Sequence, residues 1–465
     1  MNALHVNRLS RWTLCALVAL TAGCSSLPVV SPEMARGNGD AVQLRASSGR
    51  ILSPQRSREI IERLAAGGTQ TDVLTRHLAL EQAIADGPLT LGNRAVLLQD
   101  GPATYEAMFA AIGSARDHIN METYILEEDE VGRQFADALL RKQAEGVQVN
   151  LIYDSVGALS TSKAFFKRLR DGGVRVVEFN PVNPLSARAG WDINERYHRK
   201  MLIVDGKTAI MGGINISSVY SGGSLSRSRS SGGKQGLPWR DTDVLLEGPV
   251  VATLQKLFFE TWEKQKGPAV EPRQYYPPLP ARGKEVVRAI GSTPDEPFSQ
   301  IYVTLISAIN SAESEILITN AYFVPDPQFM EALMNAARRG VDVRMILPST
   351  SDSSLVFHAG RSKYEPLLRA GIRIYERKDA LLHAKTIFID GVWSTVGSTN
   401  LDWRSFLHNQ ELTAVILGTD FGGKMREAFE RDLAASEPVT LEAWLARPVG
   451  TRLKEMFGRI WEYWL

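Results

Sequence analysis

The amino-acid sequence predicts an α/β protein built from two copies of one domain, packed about a pseudo-twofold axis. Each copy is expected to hold a mixed, mostly parallel sheet flanked by helices. Two observations support this: the same order of helical and buried-strand patterns occurs in both halves of the chain, and a long polar motif recurs with it. With 465 residues, 44% of them hydrophobic, the chain is long enough for two cores.

Residues 1–23 have the pattern of an export signal. Arg8 and Arg11 precede an apolar stretch over 12–21, which as a helix would span only about 15 Å of a bilayer core about 30 Å thick. The stretch ends in LTAGCS, the pattern of a bacterial lipoprotein signal, so we expect Cys24 to be acylated. Plain secretion and an uncleaved anchor are the alternatives.

The cysteine content indicates the compartment of the protein, and the net charge indicates which partners it is expected to lack. Cys15 and Cys24 are the only cysteines, so a processed, acylated chain would carry no thiol, which suits an oxidising compartment. We predict a bacterial cell-envelope protein facing the periplasm; Ser25 and Ser26 favour the outer membrane, and the choice between inner and outer membrane stays open. A net charge of +1 without a long basic run argues against a nucleic-acid partner.

The remaining chain divides at changes of composition. Helical patterns at 57–66 and 71–85 follow a Ser-, Pro- and Gly-rich linker, and the Pro-rich segment GPAVEPRQYYPPLPARGK separates the two repeated units. The predicted divisions are 24–90 for the linker and N-terminal helices, 91–270 and 285–440 for the two domains, and 441–465 for a C-terminal amphipathic helix.

The two domains share one order of elements. In the first, MFAAIGSARDHINMETYIL leads through a helix to GVQVNLIYD; in the second, YVTLISAINSAESEILITNAYFV leads through a helix to GVDVRMIL. Each domain then adds a strand, at 173–180 and 371–377. Alternating helices and buried strands are typical of a largely parallel sheet covered by helices.

A polar motif follows each set of elements. Both copies begin with H-x-K-x4-D-G and end with G-[GS]-x-N. The apolar run after each His-x-Lys indicates a strand, on which residues i and i+2 share one face, and Asp-Gly favours a tight turn into a returning strand. The candidate site residues are His198, Lys200, Asp205 and Asn215 in the first copy, and His383, Lys385, Asp390, Ser398 and Asn400 in the second.

Two such hairpins facing each other would assemble a site for phosphodiester transfer. One imidazole would attack phosphorus and the other would protonate the leaving alkoxide, each role contributing about 10² to 10⁴ in rate. The lysines, with Asn215, Asn400 and Ser398, would hold the phosphate oxygens. No metal or cofactor is expected, because neither half shows a ligand pattern. Asp205 and Asp390 belong to the motif, but a structural role in the turn is favoured.

Acidic side chains that could orient the imidazoles lie further along each copy. Glu411 precedes Gly418 by seven residues and Asp241 precedes Gly248 by seven, whereas Asp243 precedes Gly248 by five. This register predicts that Asp241 pairs with His198 and Glu411 with His383, each within its own half.

The sequence resembles the phospholipase D superfamily, and most closely its bacterial cardiolipin synthase branch, over about residues 85–440. LGNRAVLLQDG, WRDTDVLLEGP, AYFVPD and NLDWRSFLHNQE add to the twin motifs. The resemblance implies a phosphohistidine intermediate and transfer of a phosphatidyl group, with phosphatidylglycerol as substrate. It implies that His198 is the nucleophile and His383 the acid and base. Both motifs lie in one chain, so no dimer is needed for the site.

The sequence leaves several alternatives open. A hydrolytic phospholipase D would use the same motif with water as acceptor; a nuclease of the superfamily and a catalytically silent lipid-binding protein are less favoured. The insertion 221–238 is either a surface loop or a basic lid. A membrane surface is an expected partner, but the apolar stripe of the C-terminal helix is expected to pack in a core more readily than to face lipid.

Overall fold

The structure is a computed structural model that describes residues 27–30, 44–46, 50–64, 71–84, 89–183, 192, 194–222 and 237–464. The predicted signal, Cys24 and the basic residues of the 221–238 insertion lie outside the described residues. Within the described part of the chain, no helix has the length and apolar character needed to cross a membrane.

Two N-terminal helices precede the first repeated unit. The helices predicted at 57–66 and 71–85 form close to those positions. The elements up to the connector are α1 (Pro54–Leu64), α2 (Thr71–Ile84), β1 (Thr90–Gln99), α3 (Asp100–Ser114), β2 (His118–Thr123), α4 (Glu130–Ala144), β3 (Gln148–Asp154), α5 (Lys163–Asp171), β4 (Arg175–Phe179), β5 (Arg196–Tyr197), β6 (Met201–Val204), β7 (Thr208–Gly212), β8 (Trp239–Arg240), β9 (Thr242–Glu247) and α6 (Val250–Lys264).

The second unit repeats this order and adds elements at the C-terminus. Its elements are β10 (Glu285–Ser292), α7 (Gln300–Ser311), β11 (Glu315–Asn320), β12 (Phe323–Val324), α8 (Pro327–Arg338), β13 (Asp342–Pro348), α9 (Ser354–Arg361), α10 (Tyr364–Arg369), β14 (Arg373–Arg377), β15 (Leu381–Leu382), β16 (Lys385–Ile389), β17 (Trp393–Gly397), β18 (Leu401–Asp402), α11 (Trp403–Leu407), β19 (Asn409–Leu417), α12 (Thr419–Ala434), β20 (Ser436–Val439), α13 (Leu441–Leu445) and α14 (Val449–Ile460).

The two units join edge to edge in one continuous sheet. Its order is β20-β14-β13-β11-β16-β17-β19-β10-β1-β9-β7-β6-β2-β3-β4. Reading outward from the central antiparallel pair β10–β1, each unit presents its strands in the same order, which is the pseudo-twofold arrangement that the sequence predicts. The duplicated α/β fold is confirmed.

The sheet is less parallel than predicted. Among the strands in this order, only β2-β3-β4 in the first unit and β11-β13-β14 in the second pair in parallel, and the other neighbours are antiparallel. The motif supplies the reason for one antiparallel pair in each unit. Each Asp-Gly turn joins two adjacent strands directly, and such a short connection can only pair them antiparallel.

Helix α2 belongs to the core of the second unit. Its Glu81 is fully buried, lies 3.0 Å from Arg288 and accepts a hydrogen bond from the Trp393 indole nitrogen at 2.9 Å. His77, one helical turn earlier, lies 3.3 Å from Asp390. Burying charged groups is favourable only when they are paired, so these contacts hold α2 in one position behind the second hairpin.

Candidate active site

The hairpin turns explain why the motif contains an aspartate. Asp205 and Asp390 both adopt φ of 52°, in the left-handed region that aspartate tolerates well. The Asp205 carboxylate accepts hydrogen bonds from the backbone N–H groups of residues 116, 117 and 118, and that of Asp390 accepts them from residues 313, 314 and 315. Each carboxylate therefore ties its turn to the start of the neighbouring strand.

This position corrects the inclusion of the two aspartates among the candidate site residues. Neither carboxylate contacts a histidine or lysine of the two described motifs. Burial alone would raise the pKa of Asp390, but hydrogen bonds from His77 and from backbone N–H groups outweigh burial and lower that pKa. The structural role favoured from the turn pattern is the one that the structure shows.

Short strand pairs between the two units bring the twin motifs together. Strand β5 of the first unit pairs in parallel with β19 of the second, and β8 of the first pairs in parallel with β15 of the second. His198 directly follows β5 and donates its backbone N–H to Gln410 at 3.0 Å; His383 directly follows β15 and donates to Arg240 at 2.8 Å. Both histidines thereby lie at the junction of the two units.

The carboxylates at this junction are exchanged between the units. His198 Nδ1 lies 3.0 and 3.1 Å from the two carboxylate oxygens of Glu411. His383 Nδ1 lies 2.6 Å from Asp241 Oδ2. Both carboxylates are fully buried, so each is a strong hydrogen-bond acceptor that fixes the position and tautomer of its imidazole.

The predicted pairing within each half is therefore wrong, although the two carboxylates predicted from the register are those that contact the histidines. Gln410 pairs with Tyr197 across the junction, so the next residue of each strand, Glu411 and His198, also face each other. The pairing of Leu382 with Arg240 places His383 beside Asp241 in the same way.

The two carboxylates receive different support. Ser398 Oγ donates to Glu411, and Asn409 Nδ2 donates to Glu411 Oε1 at 3.1 Å. Ser398, which the sequence predicts at a phosphate oxygen, thus orients the carboxylate instead. In the first unit Gly213 occupies the corresponding position, and a Cβ there would lie 2.3 Å from an Asp241 oxygen. This motif position is therefore glycine where it must leave room for Asp241, and serine where its hydroxyl holds Glu411.

The two motif asparagines have different surroundings. Asn215 Oδ1 accepts the backbone N–H of Ile125 at 3.0 Å, and its Nδ2 donates to the Tyr220 hydroxyl at 3.0 Å. The side chain of Asn400 is buried, and its Oδ1 has no hydrogen-bond partner among the described residues. A buried amide oxygen without a partner is costly in a folded protein, so Asn400 is the better candidate for accepting a hydrogen bond from a hydroxyl group of a bound substrate.

Aromatic rings that the sequence interpretation did not select line both histidines. The Tyr124 ring lies 5.2 Å from the His198 ring and 5.2 Å from Lys200 Nζ, and the Tyr322 ring lies 6.3 Å from the His383 ring. Trp239 is 5.1 Å from His383. The internal repeat could have identified the two tyrosines, because Tyr124 and Tyr322 occupy the same position when METYIL is aligned with TNAYFV.

Burial controls the charge of the site. Burial lowers the pKa of His198 to about 4, although the negative charge of Glu411 acts to raise it, and burial also lowers the pKa of His383. It also lowers the pKa of Lys200 to about 7 and that of Lys385 to about 8, against nearby Glu411 and Asp241. The resting His198 imidazole is therefore neutral, as a nucleophile requires, and the lysines titrate near neutral pH.

We expect kcat/KM to fall as pH rises from about 7 to 9, because Lys200 and Lys385 lose the positive charge that attracts an anionic phosphodiester. A phosphodiester remains a monoanion over this range, so the substrate does not contribute to the change. Initial rates at substrate concentrations well below KM would measure the dependence. A rate that stays constant or rises to pH 9 would contradict a role for the lysine cations.

Comparison with known proteins agrees with this geometry. The sequence profile of a family described as "Cardiolipin synthase, PLD-like domain" matches residues 108–221 and 305–433, one match for each unit. The chain belongs to this family. The resemblance inferred from the twin motifs is therefore confirmed.

Relatives and a solved structure extend the match over most of the chain. A cardiolipin synthase of Geobacillus thermodenitrificans is 34% identical over 403 residues, which is 86% of this chain and 77% of that protein. Cardiolipin synthase A of Pseudomonas entomophila is 36% identical over 76% of this chain and 71% of its own length. The crystal structure of phosphatidylserine synthase from Haemophilus influenzae shares the fold, with a TM-score of 0.61 at 14% identity over 84% of this chain and all of that one.

Proposed function

We propose that this member of the cardiolipin synthase family makes cardiolipin by transferring a phosphatidyl group from one phosphatidylglycerol to another. The observation that carries the proposal is the pair of buried histidines, each held by a carboxylate of the opposite unit. Because the carboxylates occupy both Nδ1 atoms, Nε2 is the reactive nitrogen of each ring. The names of the relatives supply the lipid class.

The first half of the reaction forms a phosphohistidine. His198 Nε2 attacks phosphorus, and the bond between phosphorus and the headgroup oxygen breaks. His383, carrying a proton that Asp241 stabilises, gives that proton to the departing oxygen, and glycerol is released. Glu411 stabilises the positive charge that His198 gains as its nitrogen bonds to phosphorus.

The second half of the reaction restores the enzyme. His383, now neutral, accepts the proton of a hydroxyl on the headgroup of a second phosphatidylglycerol, and the alkoxide oxygen attacks phosphorus. The bond between phosphorus and His198 breaks, and cardiolipin is the product. Lys200 and Lys385 offset the charge on the non-bridging oxygens in both steps, and their contacts with the backbone carbonyls of the two histidines keep them beside the reacting rings.

The acceptor is tested by product analysis. Purified enzyme incubated with phosphatidylglycerol is expected to yield cardiolipin and glycerol in equal amounts, and added glycerol should reverse the reaction. Phosphatidic acid as the sole lipid product would show that water resolves the intermediate, and the enzyme would then be a hydrolytic phospholipase D. The Lys385→Ala protein is the control for contaminating activities.

We also propose that this enzyme is anchored in the cell envelope by a lipid on Cys24. The Val30 backbone N–H donates to Gln328 Oε1 at 2.9 Å, and Gln328 Nε2 donates to the Pro28 carbonyl at 3.1 Å, so residues 27–30 are attached to the second unit. Cys24 precedes Leu27 by three residues, a reach of at most about 10 Å. Acylation at Cys24 would therefore hold the second unit close to a membrane.

Cys24→Ser should abolish acylation, which can be measured by labelled palmitate incorporation. Separation of inner and outer membranes on a density gradient should show which of the two contains the wild-type protein. If palmitate labelling persists in Cys24→Ser, or is absent from the wild type, the lipoprotein assignment is wrong.

A further inference from the structure

The C-terminal helix α14 presents an apolar face to solvent. Between 54% and 70% of the surface of each large apolar residue on this face is exposed, so the expectation that the stripe packs in a core is wrong. Such a continuous exposed apolar surface marks an interaction site. The residues of this face, called here the C-terminal apolar face, are Val449, Leu453, Met456, Phe457 and Ile460.

The opposite face of α14 is fixed to the second unit, so the helix cannot turn its apolar side inward. Glu455 is buried and accepts from Arg447 Nη2 at 2.7 Å, with Arg361 Nε at 3.7 Å. Gly458 packs so closely on α9 that a Cβ there would lie 2.7 Å from the Ala359 nitrogen. Buried ion pairs and close helix contact of this kind define one orientation.

The exposed charges around the apolar face are positive. Arg452, Lys454 and Arg459 are exposed, and at 100° per residue Arg452 and Lys454 lie on either side of the apolar stripe. Glu455 is the only acidic residue within Val449–Ile460, and it is neutralised in the interior. An apolar stripe bordered by cations is complementary to a bilayer surface that carries anionic phospholipid headgroups.

The helix also lies on the active-site side of the second unit. It packs on α9, and α9 packs on β12, where a Cβ at Gly360 would lie 2.6 Å from the Phe323 carbonyl. Strand β12 directly follows Tyr322, whose ring is 6.3 Å from His383. A surface in contact with α14 would therefore lie on the side of the second unit that carries Tyr322 and His383.

We propose that α14 lies in the plane of an anionic phospholipid bilayer, with the C-terminal apolar face inserted among the acyl chains and Arg452 and Lys454 at the headgroups. The reason for docking, delivery of membrane-resident substrate to His198 and His383, rests on the proposed function. The docking itself depends only on the face and its charges. An interfacial helix of this type inserts about 5 to 10 Å.

Single-site fluorescence on the full-length chain tests the contact independently of turnover. With Cys15 and Cys24 replaced by serine, Phe457→Cys supplies one thiol for an environment-sensitive dye. We expect a several-fold emission increase and a blue shift on adding phosphatidylcholine vesicles that contain phosphatidylglycerol, and a smaller change with phosphatidylcholine alone. No response to either vesicle would overturn the proposal.

Tyr276→Cys in the same background is the matched control. The exposed fraction of Tyr276 is 55%, close to the 58% of Phe457. Its location differs, because the adjacent Tyr275 packs against the turn at Gly206, and this turn is at the end of the first hairpin opposite to His198. The dye at 276 should not respond to vesicles, and an equal response at both sites would indicate non-specific adsorption and overturn the proposal. Emission from the dye at 457 that rises with protein concentration in the absence of vesicles would show that a second copy covers the face, and it would also overturn the proposal.

Turnover measurements link docking to function. Replacing Leu453, Phe457 and Ile460 together by serine should lower turnover of vesicle-borne phosphatidylglycerol about tenfold or more. Turnover of a short-chain phosphatidylglycerol dissolved as monomers should be unchanged, because these exposed side chains lie outside the catalytic site. Equal losses on both substrates would contradict a docking role, whereas absence of transfer by the wild-type enzyme would contradict only the proposed function.

Discussion

Replacing His198 by alanine should abolish both turnover and the covalent phosphoenzyme, whereas His383→Ala should abolish turnover and leave the phosphoenzyme trapped. The reason is the division of roles between nucleophile and proton carrier, each about 10² to 10⁴ in rate. Without His198 no bond to phosphorus can form. Without His383 an activated donor can still react, but no group deprotonates the acceptor alcohol.

A phosphatidyl ester of p-nitrophenol makes this experiment decisive, because nitrophenolate leaves without needing a proton. His383→Ala should release about one equivalent of nitrophenolate in a burst and then stop, with the lipid phosphate bound to the protein through an acid-labile bond. His198→Ala should give no burst. The reverse pattern would exchange the two roles and leave the fold and the site unchanged.

The crossed carboxylates predict that each acidic residue affects the histidine of the other unit. Asp241→Asn should reproduce the His383 defect, with a retained burst and slow resolution, whereas Glu411→Gln should reproduce the His198 defect by slowing the burst itself. We expect losses of about 10² to 10⁴ in turnover, since an amide cannot stabilise the charged imidazole. If each carboxylate acted within its own half, the two phenotypes would be exchanged.

Asp243→Asn is the matched control for Asp241→Asn. Burial and the neighbouring Asp241 raise the pKa of Asp243 to about 8, so this side chain is already uncharged at pH 7. Its Oδ1 accepts the Ile214 backbone N–H at 3.1 Å, a contact that an amide oxygen can also make. Asp243→Asn should therefore lose only a few-fold in turnover, with thermal unfolding confirming that both variants fold. Equal losses at 241 and 243 would contradict the assigned role of Asp241.

The amino-acid sequence was enough to predict the duplication, the strand that follows each His-x-Lys, the Asp-Gly turns and the two acidic residues at the site. These features are local or repeat at a fixed register, as when Asp241 and Glu411 each precede a glycine by seven residues. Those glycines, Gly248 and Gly418, both adopt positive φ where a strand ends, so the spacing reflects a shared backbone geometry.

The pairing of each carboxylate with its histidine could not be predicted from the sequence. That choice depends on β5 pairing with β19 and β8 with β15, two contacts between units that no local pattern encodes. The same holds for the C-terminal helix, because an apolar stripe in the sequence does not say which side of the helix is covered. Here the buried Glu455 and Gly458 take the inner side and leave the apolar residues outside, since ion pairing and close backbone approach fix the orientation.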